Sequence, residues 1–131
     1  MNSTKNSGEV IQLIKEYEKA LNEKDILKIL SLYGANPTFM PQYAPAQVGK
    51  DAVKSAYEYV FNTLELKISF EIHDVEVLGD TAWARTSSAG KTKILAIGDI
   101  VSEGNNELFV FKKESGSWKI HQYIFSTNIP R

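Results

Sequence analysis

Glu107 stands at the start of a strand-like run in which the next four residues, Leu108, Phe109, Val110 and Phe111, are all apolar. A carboxyl group carried into such an interior loses hydration, so it either takes an ionic partner or holds its proton to higher pH. In the second case it becomes an acid able to work near neutrality. Arg85 is the natural partner, and Trp83 and Arg85 share one face of their strand by two-residue alternation. An Arg85 to Glu107 pair would be either a structural ion pair or an anchor for a polar ligand group. Tyr17 and Tyr57 are phenols set within apolar helical stripes. A tyrosine in that position fills core with its ring and needs a partner for its hydroxyl, supplied by protein or by ligand.

Other chemistries lack their residues. There is no cysteine, which excludes disulfides, thiolate metal sites and thiol nucleophiles. His73 and His121 lie on unrelated strands without metal-ligand spacing, so no metal is expected. Ser87, Ser88 and Ser102 have no adjoining His and Asp arrangement, and Gly79, Gly90, Gly98 and Gly104 are isolated turn glycines rather than a phosphate-binding loop. With 15 basic against 16 acidic residues the net charge is −1, so no overall field draws nucleic acid or anionic lipid. Lys112-Lys113 and the Lys91, Lys93 pair read as solvated strand positions. No apolar run approaches the roughly 20 residues of a membrane span, and Met1 to Gly8 lacks a signal-peptide core. A cytoplasmic protein using no cofactor is the expectation.

The elements that must position these groups follow from periodicity. Residues 1–8 are polar and read as a disordered arm. From Glu9, the residues Val10, Ile11, Leu13, Ile14, Tyr17, Ala20 and Leu21 recur at helical spacing opposite a charged face. Asp25 is suited to cap a short second helix through Tyr33, with Gly34 placed to end it in a left-handed conformation. Pro37 to Met40 reads as a short strand, followed by a loop stiffened by Pro41 and Pro45. A third helix begins at Gly49-Lys50-Asp51, with Ala52, Val53, Ala56, Tyr57, Val60, Phe61 and Leu64 as its apolar face. Strands follow over 66–78, with a bulge near His73-Asp74 where the alternation changes phase, and over 81–88. A further strand is expected over 93–97 and a loop over 98–105. The closing hairpin turns at Glu114-Ser115-Gly116-Ser117 and is apolar at nearly every second residue on both faces. Such a hairpin buries two surfaces: one against the helices, the other against a second protein surface. Helices followed by antiparallel strands predict an α+β domain, and 131 residues suffice for one core.

Four segments in this order carry a resemblance: Tyr17 to Asp25, Val48 to Val53, Gly79 to Arg85, and Glu107 to Ile120, within residues 9–127. The chain resembles the nuclear transport factor 2-like superfamily, and most of all its SnoaL-like and ketosteroid isomerase-like small bacterial proteins. The resemblance implies a cone-shaped α+β fold over residues 9–131, with three N-terminal helices packed on a strongly curved antiparallel sheet. It also implies a conical cavity beneath the sheet and a homodimer formed through the convex face. It does not imply one activity, because that superfamily hosts isomerases, dehydratases, cyclases and noncatalytic association domains.

By this resemblance Tyr17 falls at the oxyanion tyrosine of ketosteroid isomerases, Tyr57 at a supporting tyrosine, and Glu107 near the protonated aspartate of the oxyanion hole. The position of the catalytic base is Pro41, which cannot accept a proton. The expectation is therefore a small, partly apolar ligand, with Tyr17 and Glu107 as candidate catalytic groups and no ketosteroid isomerisation. The ligand contacts expected beside them are Met40 on the rim, Tyr57 and Phe61 on the third helix, Trp83 and Arg85, Phe109, and Gln122. His121, Tyr123 and Phe125 share the other parity of the last strand and are expected at the dimer interface. The alternative is a noncatalytic homodimerisation or association module whose cavity is filled core.

Overall fold

Asn6, Val10, Leu13, Ile14, Tyr17, Ala20 and Leu21 form one buried stripe along the first helix, α1 (Ser3–Asn22). The structure is a computed structural model and describes residues 3–130. Asp25 caps α2 (Ile26–Leu32) by accepting a hydrogen bond from the Lys28 amide at 3.0 Å. Strands β1 (Tyr33–Met40) and β2 (Gln47–Val48) follow, then α3 (Lys50–Thr63), which buries Val53, Tyr57 and Phe61 at four-residue spacing. The remainder is β3 (Leu64–Leu78), β4 (Thr81–Ile94), β5 (Asp99–Glu114) and β6 (Ser117–Thr127). Among the described helices none is long and apolar enough to cross a membrane.

The strands form one sheet in the order β2-β1-β6-β5-β4-β3. Three features bend it. The expected bulge lies between Ile72 and Asp74 of β3. A second irregularity makes Phe111 pair with Ile120 but Val110 with Gln122, leaving His121 as the extra residue. Gly90 faces Ile68 so closely that a Cβ there would run into the Lys67 carbonyl. The free edge of β3 is covered from α1: the Asn22 amide bonds both the N–H and the C=O of Ile68 at 2.9 and 2.8 Å, and Glu18 accepts from the Phe70 amide at 2.6 Å. These bonds hold the helix that carries Tyr17 over the inner face of the sheet.

Several expectations are corrected. Residues 3–8, read as a disordered arm, belong to α1, because Asn6 Oδ1 accepts from Trp118 Nε1 and Lys113 Nζ at 3.2 and 3.1 Å; Met1 and Asn2 lie outside the described residues. Gly34 does not end α2 in a left-handed turn. It lies within β1, where a Cβ would collide with the Glu114 carboxylate that accepts from the Ala35 amide at 3.1 Å. The sheet is mixed, since β1 runs parallel to β6, and only α1 and α2 precede the first strand. The strand expected to end at Ile97 stops at Ile94, and the segment expected as a loop is β5 from Asp99 onward, paired with β4 from Asp99 to Lys112. The closing hairpin turns where expected, on Ser115 and Gly116 at φ 51° and 81°, the two positive values that a tight hairpin turn requires.

Candidate functional site

Register decides which side chains face the helices. Ala82, Ala84, Thr86 and Ser88 of β4 are buried and point inward, beside Phe111, Phe109 and Glu107 of β5. On β6, Trp118 and Ile120 point inward, and the extra residue at His121 then reverses parity so that Tyr123 is buried on the same side. Phe125 follows it and lines the same cavity. Leu66, Ile68 and Phe70 of β3 complete the inner face. Between this face, Tyr17 of α1, and Ala56, Tyr57 and Val60 of α3 lies a cavity of about 720 Å³. Gln42, Tyr43, Ala44 and Gln47 line it from the proline-bearing loop and β2.

Beside Ser55, Glu103 and Asn105, which also line it, two buried polar arrangements reach this largely apolar space. The first is Glu107, 4% exposed, whose carboxylate accepts hydrogen bonds from Thr86 Oγ1 at 2.7 Å and from Ser88 Oγ. Asn105 Nδ2 donates onward to Ser88 Oγ at 3.4 Å. Burial raises the Glu107 pKa; donation from Ser88 and Thr86, and the field of His73, act in the opposite direction. The second is a chain of phenols. The Tyr57 hydroxyl lies 2.7 Å from that of Tyr33 and 2.6 Å from that of Tyr17. Burial lifts all three far above the usual phenol range, so each is a hydrogen-bond donor rather than a phenolate at neutral pH.

Three hydroxyls in a row hold three protons and make two bonds among themselves, so one O–H is left to donate outside the chain. Tyr17 and Tyr123, whose hydroxyls interact, line the cavity and Tyr33 does not, so the cavity end of the chain is the Tyr17 and Tyr123 pair. The Tyr17 ring is fixed edge-on against Tyr57, Phe70, Phe109 and Tyr123, with centroids 5.4 to 6.4 Å away. Phe39 stacks on Tyr57 at 4.8 Å, and Phe109 on Tyr123 at 4.3 Å.

Of the side chains expected from sequence, Tyr17, Tyr57 and Glu107 meet in the cavity. The others do not line it. Phe109 is fully buried behind Tyr17 and Tyr123, and Phe61 packs on the Tyr57 ring at 6.2 Å. Met40, Trp83, Arg85 and Gln122 belong to the parity opposite the buried inner residues of their strands. Arg85 pairs with Asp74 at 2.8 Å instead of Glu107. Tyr123 and Phe125, expected at an interface, line the cavity. His121 is half-buried in the β6 bulge, with its Nδ1 lacking a hydrogen-bond partner among the described residues. Sequence reasoning missed Phe70, Thr86 and Ser88. The alternation of Thr86 and Ser88 with Ala84 was the available signal for the last two. Among the described residues no cluster is set to hold a metal ion.

The comparisons agree with the α+β fold. Among solved structures, a ketosteroid isomerase-like protein from Erwinia carotovora atroseptica SCRI1043 is 28% identical with a TM-score of 0.90, over 95% of this chain and 97% of that one. A nuclear transport factor 2-like superfamily protein from Salmonella enterica serovar Typhimurium is 15% identical with a TM-score of 0.88, over 98% and 95%. A candidate dehydratase of the same superfamily from Streptomyces avermitilis is 18% identical with a TM-score of 0.84, over 98% and 100%. At such identities the last two establish the α+β fold alone. No curated protein matches the sequence. Residues 10–130 match the SnoaL-like domain, and the chain belongs to that family.

Proposed function

We propose that the protein binds a small, predominantly apolar molecule in this cavity and acts on it without a cofactor, as an isomerase, dehydratase or cyclase, with Tyr17 or Glu107 supplying the proton. One observation carries the reading: the Tyr33-Tyr57-Tyr17 hydroxyl chain and the Glu107 carboxyl converge on a single apolar cavity of about 720 Å³. That volume suits a small organic ligand, and speaks against an association module with a filled interior. A ligand oxygen beside Tyr17 and Tyr123 would accept from the cavity end of the phenol chain, which stabilises negative charge developing there. Glu107, held by burial in its protonated form to higher pH than an exposed carboxyl, exchanges a proton with the ligand carbon or leaving group. Ketosteroid isomerisation itself is not proposed, because Pro41 lines the cavity and offers no side-chain base.

The test is a binding screen with apolar ketones and phenolic compounds against the parent and Tyr17→Phe. Saturable binding that weakens in the variant supports the reading. Failure of every compound to saturate the parent rejects it.

A homodimer through the outer sheet face belongs to the same proposal. Leu108 and Ile124, paired directly in register, are 42% and 43% exposed there. Val110 and Trp83 lie beside them on the same parity.

A further inference from the structure

Among the described residues Glu107 has hydroxyl donors but no ion-paired cation, and His73 acts on it only through its field, from outside the cavity. Thr86 and Ser88 occupy its two oxygens, and among the described residues it enters no ion pair. Arg85, one register step away on the neighbouring strand, is engaged by Asp74 on the other side of the sheet. Among the described residues no lysine, arginine or histidine lines the cavity, whereas a second carboxylate, Glu103, does. The rings of Tyr17, Phe39, Phe70, Tyr123 and Phe125 form much of the wall. Hydroxyl donors offset part of the desolvation of a buried carboxylate, yet they bring no opposite charge. Ring faces carry negative potential and attract cations. Once Glu107 is ionised, the component missing from this arrangement is a positive charge.

We propose that the ligand of this cavity is an organic amine in its ammonium form, with its nitrogen at Glu107 and its apolar body against the aromatic wall. The proposal rests on the reading that the cavity is a ligand site and adds the charge class of that ligand. An ammonium restores the balance that the fold leaves open. A carboxylate or phosphate ester of similar shape meets two carboxylates and no cation, and is rejected. In the complex Glu107 is ionised, so it becomes the proton acceptor of the site and Tyr17 remains the donor.

Three compounds sharing one aromatic skeleton separate the outcomes: naphthylethylamine, naphthylethanol and naphthylacetate, titrated by calorimetry into the parent protein at neutral pH. The amine should bind roughly tenfold or more tighter than the alcohol, and the carboxylate weakest of the three. Glu107→Gln should bring the amine down to the affinity of the alcohol, while the alcohol itself changes by less than about threefold. The ratio among the three compounds on the parent decides the matter even if that variant fails to fold. Equal binding of amine and alcohol, or tighter binding of the carboxylate, overturns the amine assignment and leaves the cavity as a ligand site. Absence of binding by all three overturns both.

Discussion

Arg85 and Glu107 lie on adjacent strands one register step apart and face opposite sides of the sheet: Arg85 pairs with Leu108, and Glu107 with Thr86. The guanidinium bonds Asp74 through Nη2 at 2.8 Å and Nε at 3.0 Å, with both side chains more than half exposed. An exposed pair of this kind contributes little. Arg85→Ala should therefore change stability by no more than about 1 kcal/mol and leave ligand affinity unaltered, measured by urea denaturation and titration. Loss of binding in this variant would mean that the arginine reaches the cavity after all.

The titration of Glu107 gives a signed pH dependence. Its carboxyl is held above the ordinary value of 4.5, chiefly by burial. The folded state therefore binds this proton more tightly than the unfolded chain. The resulting stabilisation is complete below the ordinary value and is lost as pH rises through the folded-state value. Urea midpoints of the parent should fall, relative to Glu107→Gln, across that window of rising pH. Parallel profiles for the two proteins would contradict a buried carboxyl.

Tyr57 is the middle member of the phenol chain, and its removal should cost more than loss of either end. Tyr57→Phe leaves the hydroxyls of Tyr17 and Tyr33 each without that bond, a cost of about 1–3 kcal/mol. Tyr33→Phe removes only the far bond. Denaturation should rank the two in that order, and ligand affinity should fall in Tyr57→Phe because Tyr17 loses its orienting partner. The reverse ranking would dissolve the chain as a unit.

On the outer face, Leu108→Lys puts a charge beside Ile124 without touching the inner row. Sedimentation velocity of the parent should show a dimer, and the variant should sediment as a monomer with its cavity intact. A parent that is monomeric at micromolar concentration removes the interface proposal.

Much of this architecture was readable from the chain, and the failures have physical causes. The α1 stripe, the Asp25 cap, the bulge at His73-Asp74 and the turn at Ser115-Gly116 are local patterns written by a few adjacent residues. Side assignment along β6 failed because the extra residue at His121 inverts the parity of Tyr123 and Phe125, and nothing in the local sequence marks it. On β4, the family resemblance implied that Trp83 and Arg85 faced inward. The inner side instead takes Ala82 and Ala84, since the facing Phe111 and Phe109 already fill that volume. Once parity is set by register, Glu107 is left with Thr86 and Ser88 instead of Arg85. Asn6 shows the same limit at the N-terminus, where a polar segment becomes helical through bonds to residues more than a hundred positions away.

The central claim is that the space between Glu107, Tyr17 and the aromatic inner row is a ligand site. Backbone amide and aromatic NMR shifts, followed while naphthylethylamine is titrated into the protein, test it most directly. The account predicts saturable shifts concentrated at Tyr17, Phe39, Phe70, Glu107 and Tyr123, with Trp83, Arg85 and Gln122 unmoved. Shifts confined to the outer face, or none at any residue of the inner row, would contradict it.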